Sequence, residues 1–163
     1  MIEAVIFDLD GTLIHLPVNY ERLIQEFEKV AQAESFHPLL EAVSKLDEVA
    51  RGQVFKIWDL AELAASAGMT VNQQGMRIYS FFATKPKALV TMQGKAVVKA
   101  ILEKLELAFD VVLTREDSLN RAEQLKLAAK KLGEEFGDML FVGNSENDAL
   151  AAKQVICLFQ RVQ

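Results

Sequence analysis

Two carboxylates at the end of an apolar run are the residues of this chain best suited to chemistry. Asp8 and Asp10 close the stretch VIFDLD, whose apolar residues are typical of a buried strand. Burying one ionised carboxylate is costly, and two so close together repel each other unless a cation or a shared proton offsets them. The pair therefore predicts a site that binds a cation.

The spacing of these carboxylates suits phosphoryl transfer. Side chains at positions i and i+2 can point to the same side where a strand ends. We interpret Asp8 as a nucleophile that attacks a phosphate ester, and Asp10 as the acid that protonates the leaving alkoxide and later takes a proton from water. Mg²⁺ prefers oxygen ligands and would bridge Asp8 and the phosphate. Gly11 lets the main chain approach the phosphate closely, although an Asp-Gly pair is also common in plain turns.

Short apolar runs predict the strands that must position these residues. Near-continuous runs of Val, Ile, Leu and Phe are typical of a parallel sheet covered on both faces. The runs are residues 2–8, 87–91, 109–114, 138–143 and 155–160. Helical patterns at 95–106, 121–132 and 146–153 alternate with the later strands. The alternation predicts an α/β fold with a doubly wound, five-stranded parallel sheet and right-handed crossovers.

The first crossover is too long for one helix, since about 70 residues separate the first two predicted strands. Residues 19–33 and 38–66 are amphipathic, with Pro38 and Gly52 as expected helix breakers, and they predict two or three packed helices. Residues 72–82 are expected to return the chain to the sheet. We therefore predict a Rossmann-like core of residues 1–16 and 71–163 and a small helical insertion of residues 17–70, which we interpret as a lid over the site.

Other polar residues follow the later strands at their carboxyl ends, where a parallel sheet forms its ligand crevice. Thr91 can donate a hydrogen bond to a phosphate oxygen, although a β-branched residue closing a strand is also ordinary. Arg121 can neutralise phosphate charge from the first turn of a helix. The alternative is a solvated arginine behind an Asn120 cap, in which case Arg115 takes its place at the phosphate.

The sequence DLDGT after an apolar strand resembles the first motif of the haloacid dehalogenase superfamily. The resemblance covers about residues 1–14 and 72–160. It implies a Rossmann-like phosphotransferase core with a cap inserted after the first motif. It also implies that Thr91 is the second motif, that Arg121 is the third, and that VGNSEND, residues 142–148, is the fourth.

The fourth motif departs from the family pattern at the position of an acid that helps to hold Mg²⁺. That position is Asn144, whose amide oxygen can ligate a cation but adds no negative charge. The resemblance implies a metal site formed by Asp8, Asp10, Asn144 and Asp148. Asp148 also fits a helix capping box with Ser145, so a structural role stays open. Metal affinity is expected to be weaker than in the family.

The resemblance implies a Mg²⁺-dependent phosphatase acting on a small phosphorylated metabolite through an aspartyl-phosphate intermediate. Asp10 argues against a dehalogenase, because a halide leaving group needs no proton donor. A phosphomutase of the same superfamily stays open. Asn144 leaves open a different class of protein, a non-catalytic or weakly active phosphate-binding protein.

Composition excludes several other classes of function. The net charge of −5 and the lack of a long basic run argue against binding to nucleic acid or to an anionic membrane. No apolar run is long enough to span a bilayer, and the N-terminal run lacks the basic region and cleavage site of a leader. The single cysteine, Cys157, lies in an apolar stretch and has no partner for a disulfide within the chain. We expect a cytoplasmic protein.

Overall fold

The computed structural model describes all 163 residues, and a five-stranded parallel sheet forms its centre. The strands of the chain are β1 Ala4–Phe7, β2 Ile14–His15, β3 Thr70–Val71, β4 Lys87–Val90, β5 Val111–Leu113, β6 Met139–Gly143 and β7 Leu158–Arg161. The order in the large sheet is β5-β4-β1-β6-β7, and every neighbouring pair is parallel. The predicted doubly wound α/β sheet is confirmed.

Seven α-helices surround or extend from this sheet. They are α1 Tyr20–Ala31, α2 Leu39–Ser44, α3 Glu48–Ala65, α4 Gln73–Phe81, α5 Lys95–Leu105, α6 Arg121–Leu132 and α7 Glu146–Val155. Two begin at the caps that the sequence indicates. The side chain of Asn120 accepts a hydrogen bond from the Glu123 amide at the start of α6, and Ser145 and Asp148 form a capping box at the start of α7.

The first strand is apolar throughout because both faces of the sheet are covered. Ala4 and Ile6 pack in one buried cluster with α6 and α7, whereas Val5 and Phe7 pack on the other face against α5. Alternate side chains of a strand point to opposite faces, so a strand covered on both sides needs apolar residues at every position. All four residues of β1 are fully buried.

Two predicted boundaries were wrong. The last strand begins at Leu158 rather than at residue 155, because Val155 is the buried last residue of α7 and Ile156 has a left-handed conformation after it. An apolar run does not distinguish a buried helix end from a strand. Gly52 is not a breaker but lies inside α3, where a glycine costs only about 1 kcal/mol relative to alanine. The break falls before Asp47, whose side chain caps α3.

Helices α1 to α3 form a bundle with its own apolar centre. Its fully buried members are Leu23, Phe27, Phe36, Val43, Val54 and Trp58. At its base, β2 and β3 pair antiparallel through Ile14 with Val71 and His15 with Thr70, a feature that the sequence did not indicate. The division into a core and an insertion of residues 17–70 stays our interpretation. None of the helices has the length and hydropathy needed to cross a membrane.

Candidate active site

Four of the predicted site residues lie at one edge of the sheet. Asp8 directly follows β1, Thr91 directly follows β4, and Asn144 directly follows β6. Arg121 is the first residue of α6, and its side chain reaches Asp8. Because β1 lies between β4 and β6 in the sheet, the carboxyl ends of the three strands bring these residues together.

Asp8 is buried, with 4% of its surface exposed, and both of its carboxylate oxygens have partners. Its Oδ1 accepts a hydrogen bond from Nη2 of Arg121 at 2.9 Å, and its Oδ2 accepts one from the Thr12 hydroxyl at 3.2 Å. Burial raises the pKa of Asp8 to about 7, an effect that the charge of Arg121 opposes and the charge of Asp148 reinforces. The carboxylate therefore gains or loses its proton near neutral pH.

Arg121 is held in place by three side chains. Besides Asp8, its Nε donates to Oδ1 of Asp148 at 2.9 Å, and its Nη1 donates to Oε1 of Gln124 at 2.7 Å. The Gln124 amide in turn donates to the carbonyl oxygens of Thr91, Thr114 and Ser118. Gln124 is a site residue that sequence reasoning missed. Its position one helical turn after Arg121 is the signal that could have indicated it.

The Asn144 amide lies against two oxygens of the DLDGT segment, one from the Asp8 side chain and one from the Asp10 backbone. Amide oxygen and nitrogen are distinguished by their hydrogen-bond partners, and here two neighbours are acceptors, while the third, the Thr12 hydroxyl at 3.3 Å, can accept as well as donate. The nitrogen therefore faces the two acceptors, 3.0 Å from Oδ2 of Asp8 and 3.2 Å from the backbone carbonyl oxygen of Asp10. Gly11 has a φ of 84°, and a β-carbon added there would collide with this amide. A glycine is thus required both for the turn and for the close approach of Asn144.

Asp10 is half-buried beside Asp8. Its Oδ1 accepts a hydrogen bond from the Leu16 amide at 2.9 Å, and Nε2 of Gln93 lies 3.5 Å from its Oδ2. Burial raises the pKa of Asp10, so its carboxyl group retains a proton to higher pH than usual. Thr91 is hydrogen-bonded to Gln93 and contacts Asp10 only through it.

Solved structures share this architecture along the whole chain. A haloacid dehalogenase-like hydrolase from Streptococcus pneumoniae matches with a TM-score of 0.71 at 16% identity, over 99% of this chain and 85% of its own. This chain has the haloacid dehalogenase-like fold. CbbY from Rhodobacter sphaeroides, in complex with phosphate, gives 0.71 at 16% identity over 100% and 88% of the two chains. A subfamily IA hydrolase from Geobacter sulfurreducens gives 0.66 at 19% identity over 98% and 88%.

Curated relatives with the same predicted class of activity match only part of the chain. The phosphoglycolate phosphatase of Salmonella typhi is 42% identical over 74 residues, which cover 42% of this chain and 29% of the relative. That of Escherichia coli K12 is 39% identical over 77 residues, which cover 44% of this chain and 31% of the relative. The match thus spans less than a third of these relatives. No protein-family model matches the chain.

Within the haloacid dehalogenase-like fold, the two candidate arginines have different surroundings. Arg121 contacts Asp8, whereas Arg115 is turned away from it and forms ion pairs with Asp59 and Glu62 of α3. Arg121, and not Arg115, therefore belongs to the candidate site around Asp8. Arg115 instead connects the loop after β5 to the helical insertion.

Asp148 lies beside the site with both oxygens occupied by protein groups. Its Oδ1 accepts from Arg121, and its Oδ2 accepts from the backbone amides of Asn144 and Ser145, each at 3.2 Å. The structural alternative considered for this residue, a capping box, is present. In this arrangement Asp148 positions Arg121 and Asn144, and a role as a metal ligand stays a prediction. His15 is exposed at the base of the insertion.

The oxygens around Asn144 have the chemistry that a hard cation needs. No three His, Cys, Asp or Glu side chains are grouped so that they could hold a metal ion, so a cation here would rely on one carboxylate, a backbone carbonyl and an amide. If the Asn144 amide turned its oxygen toward Asp8 and Asp10, the three oxygens would be separated by the same 3.0 and 3.2 Å. Adjacent ligands of an octahedral Mg²⁺ with bonds of ~2.1 Å lie about 3 Å apart. The donor set therefore fits Mg²⁺.

Proposed function

We propose that this protein is a phosphatase that hydrolyses a small phosphorylated metabolite, with Asp8 as the nucleophile. The observation that carries the proposal is the buried Asp8 carboxylate, paired with Arg121 and placed next to a second carboxyl group of raised pKa. Support comes from the phosphoglycolate phosphatases that match part of the chain and from the phosphate complex of CbbY, which has the same fold.

The side chains divide the reaction as follows. An oxygen of Asp8 attacks phosphorus, forms the aspartyl phosphate and displaces the ester oxygen in line. Asp10 gives its proton to that oxygen and later takes a proton from the water that cleaves the acyl phosphate. The raised pKa of Asp10 favours the protonated form that the first step needs. Arg121 favours the ionised form of Asp8, against the effect of burial, and offsets charge on the transferred phosphoryl group.

Mg²⁺ would be held by the Asp8 carboxylate, the Asp10 backbone carbonyl and the Asn144 amide oxygen. Bound there, it would offset the negative charge of the carboxylate and the phosphate. To ligate it, Asn144 must turn its amide by half a turn from the orientation in which nitrogen bridges Asp8 and Asp10. That rotation breaks two hydrogen bonds, and their loss reduces the net free energy of metal binding.

We also infer that residues 17–70 form a cap over this edge of the sheet. The bundle has a separate apolar centre, and Arg115 of the core pairs with α3. A cleft of about 790 Å³ lies between α2 and the loop before α6, and Arg121 is among its lining residues. Neither Asp8 nor Asp10 lines this cleft, so it meets the proposed site only at Arg121.

Turnover of p-nitrophenyl phosphate with and without Mg²⁺ tests the proposal. We expect hydrolysis that needs Mg²⁺ and is lost in Asp8→Asn. The alternative, a non-catalytic phosphate-binding protein, is favoured by one observation, namely that the Asn144 amide fills the position between Asp8 and the Asp10 carbonyl. Binding of inorganic phosphate without turnover of any ester would support the alternative and contradict the phosphatase.

A further inference from the structure

The side chain of Gln93 lies between Thr91 and Asp10, two residues of the candidate site. Its Oε1 accepts a hydrogen bond from the Thr91 hydroxyl, and its backbone amide donates to the oxygen of that hydroxyl at 3.1 Å. Its Nε2 donates toward Oδ2 of Asp10 at 3.5 Å. Gln93 is 5% exposed, and a buried side-chain amide finds its hydrogen-bond partners within the protein.

The contacts of Thr91 define which end of the Gln93 side chain faces Asp10. The Thr91 oxygen already accepts from the Gln93 backbone, and its own proton is donated to Oε1 of the Gln93 side chain. With its oxygen bound to Thr91, the side-chain amide has its NH₂ group left for Asp10. Gln93 therefore presents a donor, and not an acceptor, to the carboxyl group.

The backbone of Gln93 is held by buried neighbours, which fixes the base of its side chain. Its carbonyl oxygen accepts from the Arg115 backbone amide at 3.3 Å, and the backbone amide of Gly94 donates to Oε1 of Glu62 at 3.0 Å. Nη1 of Arg115 also donates to the carbonyl oxygen of Met92 at 3.2 Å. Because Arg115 and Glu62 are buried, water does not compete with these contacts, and the loop after β4 is firmly anchored.

The two oxygens of Asp10 have unequal partners. Oδ1 accepts from the Leu16 backbone amide at 2.9 Å, whereas Nε2 of Gln93 lies at the limit of hydrogen-bond distance from Oδ2. In a neutral carboxyl group the carbonyl oxygen is the better acceptor, and the other oxygen carries the proton. The strong bond at Oδ1 therefore makes Oδ2 the oxygen that holds the proton for a leaving group.

We propose that Gln93 is a positioning residue for the acid step, in which its side-chain amide directs Oδ2 of Asp10 and stabilises the charge that Asp10 gains. The proposal rests on the phosphatase function proposed above. In that step an oxygen of Asp8 bonds to phosphorus, the ester P–O bond breaks, and the departing oxygen takes the proton from Oδ2 of Asp10.

The contact between Gln93 and Asp10 strengthens as this proton leaves. A carboxylate is a better acceptor than a neutral acid, so the N–H group of Gln93 forms a stronger hydrogen bond with Oδ2 once Asp10 is ionised. An interaction that is stronger in the transition state than in the ground state accelerates the reaction. The effect is confined to esters whose leaving oxygen needs a proton.

The leaving group therefore provides a test that a merely structural role would not affect. p-Nitrophenyl phosphate and phenyl phosphate have similar shapes, but p-nitrophenolate departs readily as an anion, whereas phenolate is a poorer leaving group that benefits from a proton. Gln93→Met keeps the length of the side chain and removes its amide. We expect kcat/KM for phenyl phosphate to fall about tenfold more than kcat/KM for p-nitrophenyl phosphate. A structural defect would lower both values alike.

A second variant, Gln93→Glu, separates the two contacts of the side chain. It keeps an oxygen for the Thr91 hydroxyl and replaces the donor that faces Asp10 with an oxygen. Above neutral pH we expect the ratio of the two kcat/KM values to fall about as far as in Gln93→Met. A role limited to Thr91 would instead leave the wild-type ratio. Met92→Leu is the matched control, because it changes the neighbouring side chain with little change in volume and keeps the Gln93 amide. Its ratio should equal that of the wild type.

The outcomes distinguish this proposal from the phosphatase function on which it rests. A ratio unchanged in Gln93→Met or in Gln93→Glu, with native circular dichroism, would overturn the positioning role and leave the phosphatase function intact. A wild type that hydrolyses neither ester in the presence of Mg²⁺ would contradict the phosphatase function itself, and the acid step of Gln93 with it.

Discussion

Replacing Asn144 with aspartate should weaken the metal-free protein and strengthen its affinity for Mg²⁺. In the metal-free protein the amide nitrogen donates to Oδ2 of Asp8 and to the Asp10 carbonyl, at 3.0 and 3.2 Å. Asn144→Asp removes both hydrogen bonds, worth about 1 kcal/mol each. It also places a carboxylate oxygen against Asp8, and two unit charges at that separation repel by roughly 5 kcal/mol at an effective dielectric constant of ~20.

Proton uptake limits this repulsion, because one of the two carboxyl groups can become neutral and share its proton with the other. We therefore expect a loss of about 3 kcal/mol in the free energy of unfolding at neutral pH in chelator. At about 2–4 °C per kcal/mol for a chain of this size, Tm should fall by roughly 6–12 °C. With Mg²⁺ bound, the same substitution should stabilise the protein, because the added negative charge strengthens metal binding. The Mg²⁺ concentration for half-saturation should fall by about tenfold.

Thermal melts in chelator and across a Mg²⁺ titration measure both effects without any assay of activity. Asn147→Asp is the matched control, because Asn147 is exposed in the first turn of α7, three residues after Asn144, and its Tm and Mg²⁺ response should match the wild type. A Tm in chelator equal to that of the wild type would refute the bridging amide. An unchanged Mg²⁺ requirement would show that Asn144 is not a ligand.

Three further predictions concern other residues of the site. Asp8→Asn should lower p-nitrophenyl phosphate turnover by at least about 10³-fold with native circular dichroism, and activity within tenfold of the wild type would exclude Asp8 as nucleophile. Arg121→Ala leaves two buried carboxylates without their cation and should lower the free energy of unfolding in urea by about 3–5 kcal/mol. The control Arg161→Ala breaks an exposed ion pair and should lower it by less than about 1 kcal/mol. Similar losses in the two variants would contradict the buried pairing. Burial raises the pKa of Glu62 to about 7, so the native state keeps a proton that the unfolded chain releases, and stability falls as pH rises from about 4.5 to about 7. Glu62→Gln should flatten that fall in urea midpoints measured across this range, and an equally steep fall would show that Glu62 does not cause it.

Much of the fold follows from local patterns in the sequence. Each strand of the large sheet falls within two or three residues of an apolar run, because a strand covered on both faces needs apolar side chains at every position. The convergence of Asp8, Arg121 and Asn144 also follows, since strand ends in a parallel sheet meet at one edge. These inferences depend only on residues close together in sequence and on one rule of topology.

Local sequence patterns do not predict side-chain contacts between segments that are distant in the sequence. Arg115 was a candidate for the phosphate because it follows a strand, yet its side chain pairs with Asp59 and Glu62, more than fifty residues earlier. Nothing in the residues around Arg115 indicates a carboxylate on α3. The orientation of the Asn144 amide likewise depends on the Asp10 carbonyl, a backbone atom whose position only the folded chain defines.

The central position of β1 has a consequence for how the chain acquires its structure during synthesis. Val5 of β1 pairs with Lys87 of β4 on one side and with Leu140 of β6 on the other. β1 is therefore synthesised well before the strands with which it pairs. At about 5–20 residues per second, the gap from β1 to β6 lasts roughly 7–27 s on the ribosome. Helices α1 to α3 have their own apolar centre and can collapse within that interval. The nascent chain therefore carries four apolar residues, AVIF, whose neighbouring strands β4 and β6 are made only later.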